Sequence, residues 1–187
     1  MADGRAGGPA VIVLASGRGE RFLASGGKIP KLQALLAGRP VLAHTLAAVR
    51  ASGLRWHLED AGHPGMGDSI AAGVRATADA AGWLVLPGDL PLIQAASLRA
   101  IAAAPLGLDV VVPLVDGQRG HPVRFSARCG ADLMRLSGGQ GAASVVRAWG
   151  AAEWPLDDVG CIADIDTLQD LARAERLLAL RGELGGG

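Results

Sequence analysis

The chain has 187 residues, half of them apolar, and its 18 basic residues balance 18 acidic ones. That length and apolar content suit one well-buried core and exclude an intrinsically disordered chain. Zero net charge excludes the broad basic face of a non-specific nucleic-acid binder, so an anionic ligand must be held by a local arrangement of groups.

In chain order, Val11 to Leu14 reads as a buried strand running into the glycine-rich loop "ASGRGERF". Val41 to Ala51 reads as a helix opened by Pro40 and closed near Gly53, and Leu54 to Leu58 as a second strand. A helix is expected over Ser69 to Ala81, then a buried strand over Trp83 to Leu86 stopped by "PGD". Ser97 is expected to N-cap a helix through Ala103. Val110 to Val115 and Pro122 to Phe125 read as strands flanking "DGQRGH", a hairpin or wide loop. Helices are expected over Ala131 to Leu136 and Ala142 to Trp149, a short strand over Cys161 to Ile165, and a closing helix over Thr167 to Leu180. Strands alternating with alanine-rich helices define the α/β class. With no internal repeat or linker, one domain is expected over residues 10–181, with flexible glycine-rich ends at 1–9 and 182–187. No apolar run reaches the length of a membrane span and the start lacks a signal-like segment, so a soluble, cytoplasmic protein is expected. Cys129 and Cys161 form no CxxC pair and read as reduced thiols.

The glycine loop admits two ligands. Gly17-Arg18-Gly19 after a strand could begin a dinucleotide fingerprint, but Phe22 stands where its third glycine belongs. No acidic residue closes a neat second strand at the ribose-binding distance either. Arg21, Lys28 and Lys31 instead place three cations in or just after the loop, which suits a triphosphate. Asp89, in "LVLPGDLPLI", follows a buried strand at the sheet edge where ligands bind, and is a hard oxygen ligand of the kind magnesium prefers. No Ser-His-Asp or Cys-His arrangement stands out. His44, His57 and His63 read as ordinary helix or loop histidines.

The stretches "LASGRGERF", "PKLQ", "GMGDSI", "GDLPLI", "RGHPVRF" and "DIDTLQDL" occur in an order that resembles the molybdenum cofactor nucleotidyltransferases, most of all their cytidylyltransferase branch. The resemblance spans Val11 to Leu171. It implies a three-layer α/β/α Rossmann-like (glycosyltransferase-A-like) fold with a mostly parallel mixed sheet. It also implies magnesium-dependent transfer of a nucleoside monophosphate from CTP or GTP to the phosphate of molybdopterin, for delivery to a molybdoenzyme. Carried over by position, Leu14, Ala15, Ser16, Gly17, Gly19 and Arg21 surround the triphosphate. Lys31 is the better match to the family lysine, with Lys28 as rival because "LASGGKI" blurs the spacing. Gly65, Met66 and Ser69 line the nucleotide pocket, and Asp89 holds magnesium. Arg119 and His121 face the acceptor. Asp164 or Asp166 approaches the metal, or else forms an acidic cluster favouring the last helix's dipole.

Three departures accompany the resemblance. The short passage from Arg50 to "GMG" implies that one βα unit is missing. Gly139 and Ala143 stand where relatives often carry an acid and an arginine, and Ser16 brings a hydroxyl into the loop. Three other readings compete: a non-catalytic carrier of molybdenum cofactor, to which the trimmed sheet and altered loop give weight, a sugar-phosphate nucleotidyltransferase, and a nicotinamide-binding oxidoreductase.

Overall fold

The computed structural model describes residues 7–17 and 19–184; Arg18 and, of the expected flexible ends, residues 1–6 and 185–187 lie outside the described residues. In chain order the elements begin β1 (Ala10–Leu14), α1 (Glu20–Ala24), β2 (Leu35–Leu36), β3 (Arg39–Pro40), α2 (Val41–Ser52) and β4 (Trp56–Glu59). There follow α3 (Met66–Ala76), β5 (Gly82–Pro87), α4 (Ala95–Ala102), β6 (Val110–Val115), β7 (Gln118–Arg119) and β8 (Val123–Ser126). The chain closes with α5 (Gly130–Met134), α6 (Ala143–Trp149), β9 (Ala152–Pro155) and α7 (Leu168–Leu184).

Among the described residues one seven-stranded sheet runs β4-β1-β5-β8-β6-β7, with β9 also paired to β6. β4, β1 and β5 are mutually parallel, β9 is parallel to β6, and β8 lies antiparallel to both β5 and β6. Five strands therefore share one direction, and β8 and β7 oppose it. β4 is an outer strand, where the short Arg50-to-Gly65 passage leaves no room for a further βα unit.

Strand alternation builds the three layers. Val11, Val13, Leu84 and Leu86 face a core with Leu46 and Val49 of α2 and Leu98 and Ile101 of α4. Their neighbours Ala10, Ile12, Trp83 and Val85 face the other side, against Ile70 and Val74 of α3, Leu133 of α5 and Val145 of α6. A third cluster joins Phe22, Leu36, Leu92, Ile165 and Ala174, and so seats α1 and α7 beside the sheet. The turn "DG" closes β6 onto β7 as a two-residue hairpin, with Asp116 at φ 49° and Gly117 at φ 77°.

Several sequence expectations need correction. Cys161 to Ile165 is not a strand: Asp158 accepts from the Gly160 N–H at 3.0 Å and winds Val159–Cys161 into a 3₁₀ turn. The strand lies earlier, at Ala152–Pro155, in register with β6. Ser97 is not an N-cap. It is buried inside α4, which starts after Gln94, and its hydroxyl donates to Asp158 Oδ2 at 2.7 Å. The helix expected from Ser69 starts three residues earlier and ends at Ala76. The second strand reaches Glu59, one residue beyond its expected end, so an acidic residue does close it.

Candidate active site

β1 and β5 run side by side and release their carboxyl ends into the same cleft. Leu14 of β1 is followed by Ser16 and Gly17, and Pro87 of β5 by Gly88 and Asp89; Lys31, Leu32, His63, Gly65, Met66 and Ser69 complete the lining. The cleft has a volume of about 150 Å³ and opens to solvent. Hydrogen bonds fix the junction: Gly88 N–H donates to Leu14 O at 2.9 Å, and Thr45 Oγ1 donates to Gly88 O at 2.9 Å.

The charged centre joins three distant stretches. Lys31 Nζ donates to Asp89 Oδ2 at 2.5 Å and to Asp166 Oδ1 at 3.0 Å. Arg21 pairs with Asp166 from the exposed side. The Ile165 N–H donates to Asp89 O at 3.0 Å, so the "DID" segment is tied to the strand end that presents Asp89. Burial opposes the Lys31 charge, but Asp89 and Asp166 outweigh it and hold the ammonium pKa above its ordinary value. Burial, with the nearby Asp89 charge, pushes the Asp164 carboxyl above its ordinary range. Lys28 is exposed and makes no hydrogen bond or ion pair among the described residues, so the structure brings Lys31 to the centre and not Lys28.

Asp89 Oδ1 is buried and has no partner, while Oδ2 is committed to Lys31. An orphaned carboxylate oxygen fits a hard divalent cation, and Asp164 supplies a second oxygen donor nearby. A preformed group of three or more metal-ligating side chains is absent among the described residues, so phosphate oxygens or water must complete any metal shell.

The loop explains why the dinucleotide fingerprint fails. Phe22 is 1% exposed and anchors α1 in the third core cluster, so its position belongs to packing. Gly19 adopts φ 63° and lies against Lys31, where an added Cβ would come 3.2 Å from Cγ. Gly19, Arg21, Lys31 and Asp166 share a shallow hollow beside the main cleft. Ala15 N–H donates to Glu59 O at 2.9 Å, tying the loop to β4.

At the other end, Gly65 and Gly67 of "GMGD" press against the loop of residues 137–140. A Cβ on Gly65 would lie 2.0 Å from Gly138 O, and one on Gly67 would lie 2.7 Å from Gln140 O. Asp68 Oδ2 accepts from Gly138 N–H at 2.9 Å. The altered "SGGQ" loop thus braces the start of α3.

Arg119 and His121 separate. Arg119 is exposed and its Nε donates to Glu153 Oε1 at 2.8 Å, away from the cleft. His121 turns inward: burial lowers its pKa, the charges of Asp89 and Asp164 partly oppose this, and its Nδ1 is buried without a partner.

The histidines read as ordinary include two that converge on one carboxylate. Glu59 lies within 3.3 Å of His57 Nε2 and 3.2 Å of His63 Nε2, and accepts from Ala61 N–H at 3.2 Å. Only the strand end at Glu59 offered a sequence signal. The convergence is a product of the β4 turn.

The chain is similar to known proteins in sequence and in fold. The family model described as MobA-like NTP transferase domain matches residues 47–154, a span that includes Asp89. The bifunctional protein GlmU of Stenotrophomonas maltophilia (strain R551-3) is 34% identical over 134 residues, covering 59% of this chain and 29% of that protein. The chain thus spans about three-tenths of the length of the curated relatives it matches. Rv0371c from Mycobacterium tuberculosis H37Rv is 25% identical with a TM-score of 0.77, covering 91% of this chain and 99% of that one. A manganese complex of Rv0371c aligns at 22% identity and a TM-score of 0.70, covering 90% and 97%. The molybdopterin-guanine dinucleotide biosynthesis protein A of Archaeoglobus fulgidus shares the fold at 18% identity and a TM-score of 0.67, covering 91% and 98%.

Proposed function

Since the chain belongs to the MobA-like NTP transferase family, we propose that it moves a nucleoside monophosphate from an NTP to an acceptor phosphate. The carrying observation is the shared ammonium of Lys31 between Asp89 and Asp166, set beside an orphaned Asp89 oxygen. A triphosphate lying from the cleft toward Gly19 would meet Lys31 and Arg21 in place of their present carboxylate partners.

In the reaction an acceptor phosphate oxygen forms a bond to the α-phosphorus as the bond to the β-phosphate oxygen breaks, and pyrophosphate leaves. The acceptor is largely ionised near neutrality, so no side chain need remove its proton. The residues must align two anions and absorb the charge that builds on the leaving group. Lys31 is a partly buried point charge fixed by two carboxylates, and Arg21 is an exposed fork paired with Asp166. Asp89, with Asp164, would hold the divalent ion, magnesium in this reading, which supplies charge neutralisation at the phosphates. Leu14, Ser16, Gly17, Gly65, Met66 and Ser69 would hold the nucleoside in the cleft.

We take the acceptor to be molybdopterin and the nucleotide CTP in preference to GTP, in a cytoplasmic single-domain enzyme over residues 10–181. The motif resemblance supports this choice. A sugar phosphate is a second acceptor class, favoured by the matches to the bifunctional GlmU proteins. A carrier without catalysis would need no metal aspartate, which counts against that reading. Incubating the protein with each NTP, magnesium, and either molybdopterin or a hexosamine 1-phosphate tests these readings by adduct mass and pyrophosphate release. No pyrophosphate from any combination counts against transfer.

A further inference from the structure

The nucleoside end of the cleft contains a polar device that the transfer chemistry does not use. Besides Lys31 and Asp89 the cleft is lined by the apolar side chains of Leu14, Leu32, Met66 and Pro87, a surface suited to a base. His63 lies in that lining, 30% exposed at its side chain. Its Nε2 is 3.2 Å from Oε1 of Glu59, a carboxylate only 7% exposed. Glu59 is itself held: its Oε1 accepts from the Ala61 N–H, its Oε2 faces His57 Nε2, and its main-chain oxygen ties down Ala15 and Ser16.

We infer that His63 reads the edge of the nucleobase and that Glu59 sets what it reads. This rests on the nucleotidyltransferase reading above. A carboxylate oxygen this close to Nε2 favours the ring proton there, which leaves Nδ1 as the acceptor. A bare acceptor pairs with an exocyclic amine, as on cytosine, and leaves a keto oxygen, as on uracil, facing a lone pair. His63 therefore selects an amino pyrimidine over a keto pyrimidine. His57, on the other carboxylate oxygen, keeps Glu59 from turning.

Equilibrium binding of CTP and UTP to the full chain with magnesium tests this, because the two differ at that edge. The wild type should bind CTP about tenfold more tightly. His63→Phe keeps a planar ring without nitrogens and should bring the two affinities together, mainly by weakening CTP. Glu59→Gln can donate to Nε2, moving the ring proton to Nδ1, and should shift preference toward UTP. Should Glu59→Gln fail to fold, His63→Phe decides alone. A wild type that binds UTP as well as CTP, or a His63→Phe protein that retains the full CTP preference, overturns the inference while leaving nucleotidyl transfer standing. Failure of CTP, UTP, ATP and GTP alike to bind overturns both.

Discussion

Lys31 Nζ sits 2.5 Å from Asp89 Oδ2 although 58 residues separate them, and the same ammonium reaches Asp166 Oδ1 at 3.0 Å. The cation and the carboxylates are each other's counterions here, so a triphosphate bound as proposed would replace the carboxylates around Lys31. Lys31 should therefore contribute most when negative charge moves to the departing pyrophosphate. Lys31→Ala is expected to lower kcat about 100-fold while weakening NTP affinity less than about tenfold. Lys28→Ala, a change at an exposed site outside the cluster, should leave both within about twofold. Steady-state kinetics beside direct NTP binding separates the two lysines, and a damaging Lys28→Ala would assign the phosphate to Lys28.

Asp89→Asn keeps the shape of the side chain but removes the charge that would attract a divalent ion to its free oxygen. Turnover should fall at least about 100-fold, and excess magnesium should not restore it. A Mn²⁺ titration followed by electron paramagnetic resonance should lose a site in the variant while far-ultraviolet circular dichroism stays unchanged. Activity within a few-fold of wild type would remove Asp89 from the metal assignment.

The layers were legible because alternation and glycine punctuation are local signals. Val11 to Leu14 and Val110 to Val115 are apolar runs whose neighbours face opposite cores. The site was legible where a motif carries its own geometry, as at Asp89 and the glycine loop. What stayed hidden depends on partners far along the chain. Asp158 carries no motif signal, yet it is 3% exposed and gathers Gln94, Ser97, Gly160 and Arg181. Those contacts displaced the expected cap at Ser97 and the expected strand at Cys161. The choice between Lys28 and Lys31 needed the reach of each side chain, and spacing alone does not contain it. His63 carries no signal of its own, because its partner Glu59 ends β4 and only the turn after that strand brings the two together.

Gly65 should be sensitive to a single methyl group. Its φ of −148° is open to any residue, so the constraint is space. An added Cβ would lie 2.0 Å from the Gly138 carbonyl oxygen, and a backbone atom has little freedom to retreat. Gly65→Ala should cost about 1–3 kcal/mol and lower Tm by several degrees, with weaker NTP binding as the cleft wall moves. Gly139→Ala, with nothing within 4 Å of its added Cβ, should change stability by less than about 0.5 kcal/mol. Equal effects from the two substitutions would show that the 137–140 loop yields freely.

Cys161 gives stability a defined alkaline limb. Its side chain is fully buried and its sulfur lies 3.9 Å from Asp158 Oδ2. Burial, reinforced by that carboxylate, pushes the thiol up to about 12 from an ordinary 9.0. The folded value lies above the unfolded one, so the unfolded chain gives up the proton first. The contribution is whole below pH 9 and is lost as pH climbs toward 12. Lys31, whose pKa is also raised, acts in the same direction only above its ordinary 10.5, which leaves pH 9 to 10.5 as the window where the thiols dominate. Denaturant midpoints should fall across that window in the wild type and fall less in Cys161→Ala. At pH 8 a thiol reagent should label neither Cys129 nor Cys161 in the folded protein, and both once it is unfolded. Labelling of Cys161 at the same rate in folded and unfolded protein would mean that its shell opens readily, and the alkaline limb would then need another source.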